Sequence, residues 1–234
     1  MVEMIIVLVV IIGLAGVTQW YKGSVNEATP SLLCKTSVVL RSNYLEPTGA
    51  GSSLFKKGFN PPVLNCPYNK LTLNGENLEL KIKIAEELRN CWDKMNGNKN
   101  QLARMVRSGE IYCLDCSRIT LGSDVPVGEM KQYLAKTKLL GNDKITYSDY
   151  LDTSFGKLSV INMFLNPVLN DIPLPGQDAP VRPLSVIQKG VPHEIVFLSR
   201  IVDDKPQSHL VFVPTETVPN LACQEYYQLS TEPK

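Results

Sequence analysis

The chain has 234 residues, enough for one large domain or two small ones. Its 24 Lys and Arg against 23 Asp and Glu leave a formal charge of +1, which argues against nucleic-acid binding as the main task, since such proteins carry a basic surplus. Hydrophobic residues make up 44% and charged residues 20%, which excludes a disordered chain and provides for a packed core.

The strongest signal comes first. Met4 to Val17 reads MIIVLVVIIGLAGV, with no charged or strongly polar residue. As a helix this run of about 14 residues is about 21 Å long. Carried on through Trp20 and Tyr21 it reaches about 27 Å, close to the ~30 Å hydrocarbon core of a bilayer. Trp20 and Tyr21 suit a membrane interface, and Lys22 closes the span. Three readings compete. A cleaved secretory signal wants a basic residue before the run, and only Glu3 stands there, although Gly13 and Ala15 would make a passable cleavage site. A buried core helix sits badly with β-branched residues on every face and no polar stripe. A membrane-inserted helix is the leading expectation.

Glu3 directly before MIIVLVVIIGLAG resembles the start of a mature type IV pilin or pseudopilin, over about the first 20 residues. Charge beside lipid is costly, so a glutamate there is unusual. The resemblance implies a helix that waits in the membrane and then packs against identical helices in a filament core. It implies that Glu3 pairs with the Met1 amine of the next copy, giving a homo-oligomer through the N-terminal helix. Two departures stand out. Glu3 lies nearer the N-terminus than in the usual pattern, and with no basic leader the chain is expected to be a processed form. A plain single-span anchor with Glu3 at the interface is the alternative.

Residues 23–33 are small and polar with Pro30, as in a linker. Cys34, Cys66, Cys91, Cys113, Cys116 and Cys223 all follow the apolar run, and an even count beyond an anchor suggests an oxidising, extracytoplasmic compartment with structural disulfides. Their connectivity is open. Cys113-Leu-Asp-Cys116 is a CxxC, but no strand–CxxC–helix context accompanies it, and a zinc site lacks a second pair; His193 and His209 lie far downstream.

Lys35–Ser42 contains Val38-Val39-Leu40 and predicts a strand entered from Cys34. Residues 43–62, rich in Gly and Pro, predict a loop. Leu71-Thr72-Leu73 predicts a short strand, with a hairpin turn at Asn74-Gly75. Leu78, Leu80, Ile82 and Ile84 alternate as a strand does, whereas Ile84, Leu88, Cys91, Trp92 and Met95 follow a helical period that Asn96-Gly97 would stop. The alternating stretch is a strand or the first turns of that helix. Trp92 is expected in the core, and Glu86, Glu87, Arg89 and Asp93 on a solvated face. Lys99, Arg104 and Arg107 are expected on a solvated surface rather than a phosphate or acidic-lipid patch. A modest helix is predicted over 127–139, and a short helix or turn with capping residues over 146–151. Six residues among 166–183 are Pro or Gly, which excludes a long regular element there. Glu194–Ile201 and His209–Pro214 predict a β-hairpin. Walker, GxGxxG, HExxH and GxSxG motifs and Asn-x-Ser/Thr sequons are absent from the sequence.

The order CKTSVVLRS, a further Cys, IAEELRNCW and YCLDCSRI is similar to uncharacterised membrane-anchored proteins of archaea, over roughly Cys34 to Ile119. That resemblance implies an extracytoplasmic head on an N-terminal anchor and carries no activity. The expected chain is therefore α+β: a long hydrophobic helix over 1–22, a linker over 23–33, and a disulfide-braced head over 34–234 with antiparallel β-hairpins and at least one amphipathic helix. The leading functional expectation is a pilin-like filament subunit, membrane-anchored before assembly, found at the cell surface and involved in adhesion to a surface or host-cell receptor. No catalytic residue, cofactor, metal or nucleic acid is expected. A tethered binding domain that does not polymerise is the runner-up, with the loops at 43–62 and 166–183 as the places for a ligand. A thiol or metal enzyme is the third.

Overall fold

In a computed structural model the chain is described over residues 32–42, 64, 66–95, 111–151, 164, 184–202, 205–221, 223 and 225–227. The residues expected to form the N-terminal helix and the loops at 43–62 and 166–183, and Lys99, Arg104 and Arg107, lie outside these residues.

Apolar residues on both faces of a strand demand cover on both sides. Two long strands have this character: β2 (Ile111–Leu121) and β7 (Pro192–Val202). With β1 (Asn69–Leu73), β8 (Lys205–Pro214) and β9 (Glu225–Tyr227) they make a five-stranded mixed sheet. Its order is β1-β2-β7-β8, and β9 also pairs with β2. β7 and β8 form the predicted antiparallel hairpin, longer than expected, from His193↔Pro214 to Val202↔Lys205. β1 and β9 both run parallel to β2, β1 along Ser117–Leu121 and β9 along Tyr112–Leu114.

The helices cover one face. α1 spans residues 32–42, α2 is Asn77–Lys94, α3 is Val127–Lys136 and α4 is Tyr147–Leu151. They bury Val38, Leu80, Ile84, Leu88, Trp92, Met130, Leu134 and Tyr147 against Ile119, Ile195, Phe197 and Phe212. The second face carries Ile111, Cys113, Val196, Leu198, Val211 and Val213, under Val218 and Leu221 of a 3-10 helix (Thr215–Leu221). Two small sheets flank this body: β3 (Val125–Pro126) with β6 (Val186–Ile187), and β4 (Lys138–Leu139) with β5 (Asn142–Thr146). The head is α+β with antiparallel hairpins and amphipathic helices.

Three expectations are corrected. Residues 35–42 are helix, not strand. Cys34, Ser37, Val38 and Ser42 are buried while Leu32, Leu33 and Leu40 are exposed, a helical spacing that outweighs the β preference of adjacent valines. Asn74-Gly75 does not close a hairpin: β1 pairs in parallel with β2, and Gly75, at φ 143°, leads into α2. A side chain at Gly75 would also meet the Glu79 carboxylate. The alternating stretch after it is helix, with Leu80 and Ile84 buried and Leu78 and Ile82 on the outside. Finally, the charges of α2 are not all on a solvated face. Glu87 is buried and accepts a hydrogen bond from Asn69 Nδ2 at 3.0 Å, while Glu86 and Asp93 accept from Tyr147 and Tyr150 on α4.

α4 starts on a reciprocal cap. Thr146 Oγ1 accepts from the Asp149 N–H at 3.1 Å, and the Thr146 N–H donates to Asp149 Oδ2 at 2.9 Å.

Candidate functional site

Strand β2 carries a bulge. Asp115 pairs with Val196 and Ser117 with Ile195, so two steps on β2 match one on β7 and Cys116 is the extra residue. The bulge resets which residues face which side. Before it, Tyr112 and Leu114 face the helices; after it, Ile119 and Leu121 do. Residues three apart on a regular strand point to opposite faces. Here Asp115 and Arg118 share one face, because the bulge lies between them.

That shared face gathers several charged and polar side chains around one buried carboxylate. Arg118 is directly opposite Glu194 on β7, and its Nε donates to Glu194 Oε1 at 2.6 Å. Tyr68 donates its hydroxyl to Oε1 at 3.1 Å and Oε2 at 2.9 Å, and Thr215 Oγ1 donates to Oε1 at 3.2 Å. Glu194 is 1% exposed, whereas the Arg118 side chain keeps 35% of its surface in solvent. Burial, and then the neighbouring carboxylate, push the Tyr68 hydroxyl pKa well above its ordinary value. The hydrogen bond to Glu194 raises that of Arg118. Three donors from different elements converge on Glu194, so the carboxylate brackets β2, β7, the approach to β1 and the start of the 3-10 helix.

Beside the bracket lies a cavity of about 370 Å³. Its wall is polar at Asp115, Arg118, Glu194 and Thr215 and apolar at Val218, Pro219 and Cys223. That is the lower end of the size range of small-molecule sites, ~300–1,000 Å³.

All six cysteines are cross-linked. Cys34–Cys66 ties α1 to the segment before β1, Cys91–Cys116 ties α2 to the bulge, and Cys113–Cys223 ties β2 to the segment before β9. The CxxC cysteines do not bond to each other. Cys113 faces the second side and Cys116 the helices, so each finds its partner on its own side. The two histidines are also apart: His193 faces Pro214 and His209 faces Leu198 in the β7–β8 register. His193 is buried, stacked on Phe212 with ring centroids 5.3 Å apart, and its Nδ1 lies 2.9 Å from the Val191 carbonyl. Burial holds its pKa below the ordinary value. Among the described residues no group of three His, Cys, Asp or Glu side chains could hold a metal ion, and no helix is long and apolar enough to cross a membrane.

Met1 and Glu3, the residues expected to act in assembly, lie outside the described residues. The Tyr68–Arg118–Glu194–Thr215 bracket is missing from the sequence reading. Its signal was present as charged residues, Asp115, Arg118 and Glu194, placed within otherwise apolar strands. No protein-family model, curated protein or solved structure matches the chain.

Proposed function

We propose that the chain is a membrane-tethered extracytoplasmic protein: the apolar segment from Met4 to Tyr21 is the anchor, and the disulfide-braced head is presented outside. The observation that carries this reading is the use of every cysteine in a cross-link, all of them after the apolar run. Disulfides of this kind persist in oxidising compartments and are rare where thiols are kept reduced.

Glu3 ahead of the uncharged run supports a specific form of the tether, a pilin-like filament subunit. In that form the anchor leaves lipid for a core of identical helices, and Glu3 meets the Met1 amine of a neighbour. The cavity beside Glu194 favours a second form, a tethered binding domain that stays in the membrane and takes a small polar ligand. Mass spectrometry of sheared surface filaments and of washed membranes separates them. Recovery in filaments, lost in Glu3→Ala, supports the subunit. Recovery in membranes alone, with no filament signal, overturns it and leaves the binding domain.

A further inference from the structure

The first described element after the apolar run has an unusual outer face. On α1, residues 34, 37, 38 and 42 fill one side and are buried, with Cys34 locked to Cys66. The other side presents Leu32 at 63% exposure, Leu33 at 47% and Leu40 at 54%, around an exposed Thr36. On a helix with 3.6 residues per turn these positions fall within about 100° of one another. Exposed Lys35 sits at the edge of the stripe. Among the described residues the other exposed apolar pair on a helix, Leu78 and Ile82 of α2, differs. It lies among the ion pairs Lys83–Glu79 at 2.7 Å and Lys81–Glu129 at 3.2 Å, so charge flanks it on both sides.

The length of chain before α1 limits where this stripe can go. From Lys22 to Ser31 the chain can extend at most about 35 Å. A helix with an apolar face and a lysine at its margin is the kind that lies in a membrane interface, with the apolar side buried ~5–10 Å deep and the amine reaching the headgroups.

We infer that the Leu32–Leu33–Leu40 face of α1 rests on the phospholipid surface next to the anchor and seats the head against the bilayer. The inference rests on the proposed tether. The cavity beside Glu194 lies on the second face of the sheet, opposite the face that α1 packs against.

The test uses the full chain in vesicles of mixed zwitterionic and anionic phospholipid. A photo-reactive side chain replaces Leu40 in one sample and Leu140, 69% exposed on the β4–β5 turn, in another. Vesicle flotation precedes illumination, and the adducts are identified by mass spectrometry. The expected result is a chain that floats with the vesicles and gives lipid adducts from position 40 at least ~5-fold above those from position 140, as an interfacial helix requires. Floating chain whose position-40 adducts go to protein, its own or a second copy's, overturns the membrane seat and leaves the tether standing. Equal lipid adducts at both positions overturn it as well. A chain that does not float sinks the tether and the seat together.

Discussion

Replacing Arg118 by methionine removes the charged donor from Glu194 and leaves the carboxylate with Tyr68 and Thr215. Replacing Glu194 by glutamine removes the charge from the other side and leaves Arg118 without its anion. The two substitutions break the same ion pair, yet their costs differ because the partners differ in exposure. Glu194 is 1% exposed and cannot regain water, whereas Arg118 keeps 35% of its side chain exposed and can. Stranding a buried charge costs about 3–5 kcal/mol. Two neutral donors remain on Glu194, so Arg118→Met should fall at the low end, about 3 kcal/mol. Glu194→Gln preserves shape and an acceptor for Tyr68, and should cost about 1–1.5 kcal/mol. The difference corresponds to at least a tenfold change in the folding constant, since each ~1.4 kcal/mol is a factor of ten. Urea unfolding of the oxidised protein, followed by circular dichroism, reads it directly. With a slope of roughly 3 kcal/mol/M, Arg118→Met moves the midpoint down by about 1 M and Glu194→Gln by half of that or less. Equal shifts, or a larger one for Glu194→Gln, would refute the claim that burial of the carboxylate governs the bracket.

Other outcomes follow from the same packing. His193 has its pKa held low by burial, so the unfolded chain takes the proton first as pH falls through about 6.5, and stability should decline from there toward the lower folded value. His193→Phe, which keeps the stack on Phe212, should flatten that decline between pH 7.5 and 5.5 (about the range where histidine alone titrates); an unchanged slope in urea titrations counts against it. Cys91→Ala with Cys116→Ala opens a cross-link across 25 residues and should cost about 3.5 kcal/mol by the loop-entropy rule, read as a lowered urea midpoint. Thr146→Ala removes half of the reciprocal cap on α4 and should cost about 1 kcal/mol in the same assay. Gly75→Ala should cost more than that, about 1–2 kcal/mol, because φ 143° is closed to L-residues and the new methyl meets Glu79; a neutral result would place the β1–α2 turn elsewhere.

Much of the head was legible. The β7–β8 hairpin stood out because Glu194–Ile201 and His209–Pro214 are apolar, β-rich and closely spaced. Helix α2 was visible from Ile84 onward, where the period is unambiguous. Its first turns were not, since Leu78, Leu80, Ile82 and Ile84 suit either element until tertiary burial selects Leu80 and Ile84. The sequence points to a strand over α1 because Val38 and Val39 favour strands locally, and only the burial of one side at helical spacing shows the helix. The β1–β2 pairing was hidden for a different reason. Parallel neighbours are separated by a crossover, and a short-range turn signal such as Asn74-Gly75 competes with it. The bracket required two facts no local pattern holds: a bulge at Cys116 that brings Asp115 and Arg118 to one face, and a register that sets Arg118 opposite Glu194.

The most direct test of the tethered, oxidised head is thiol mapping on the chain as cells make it. Cells are fractionated after thiols are blocked in place, and the protein is digested without reduction. The account predicts a chain recovered in membranes or surface filaments, with no blocked cysteine and with Cys34–Cys66, Cys91–Cys116 and Cys113–Cys223 as linked peptides. A chain recovered in the soluble fraction with six blocked thiols would contradict it.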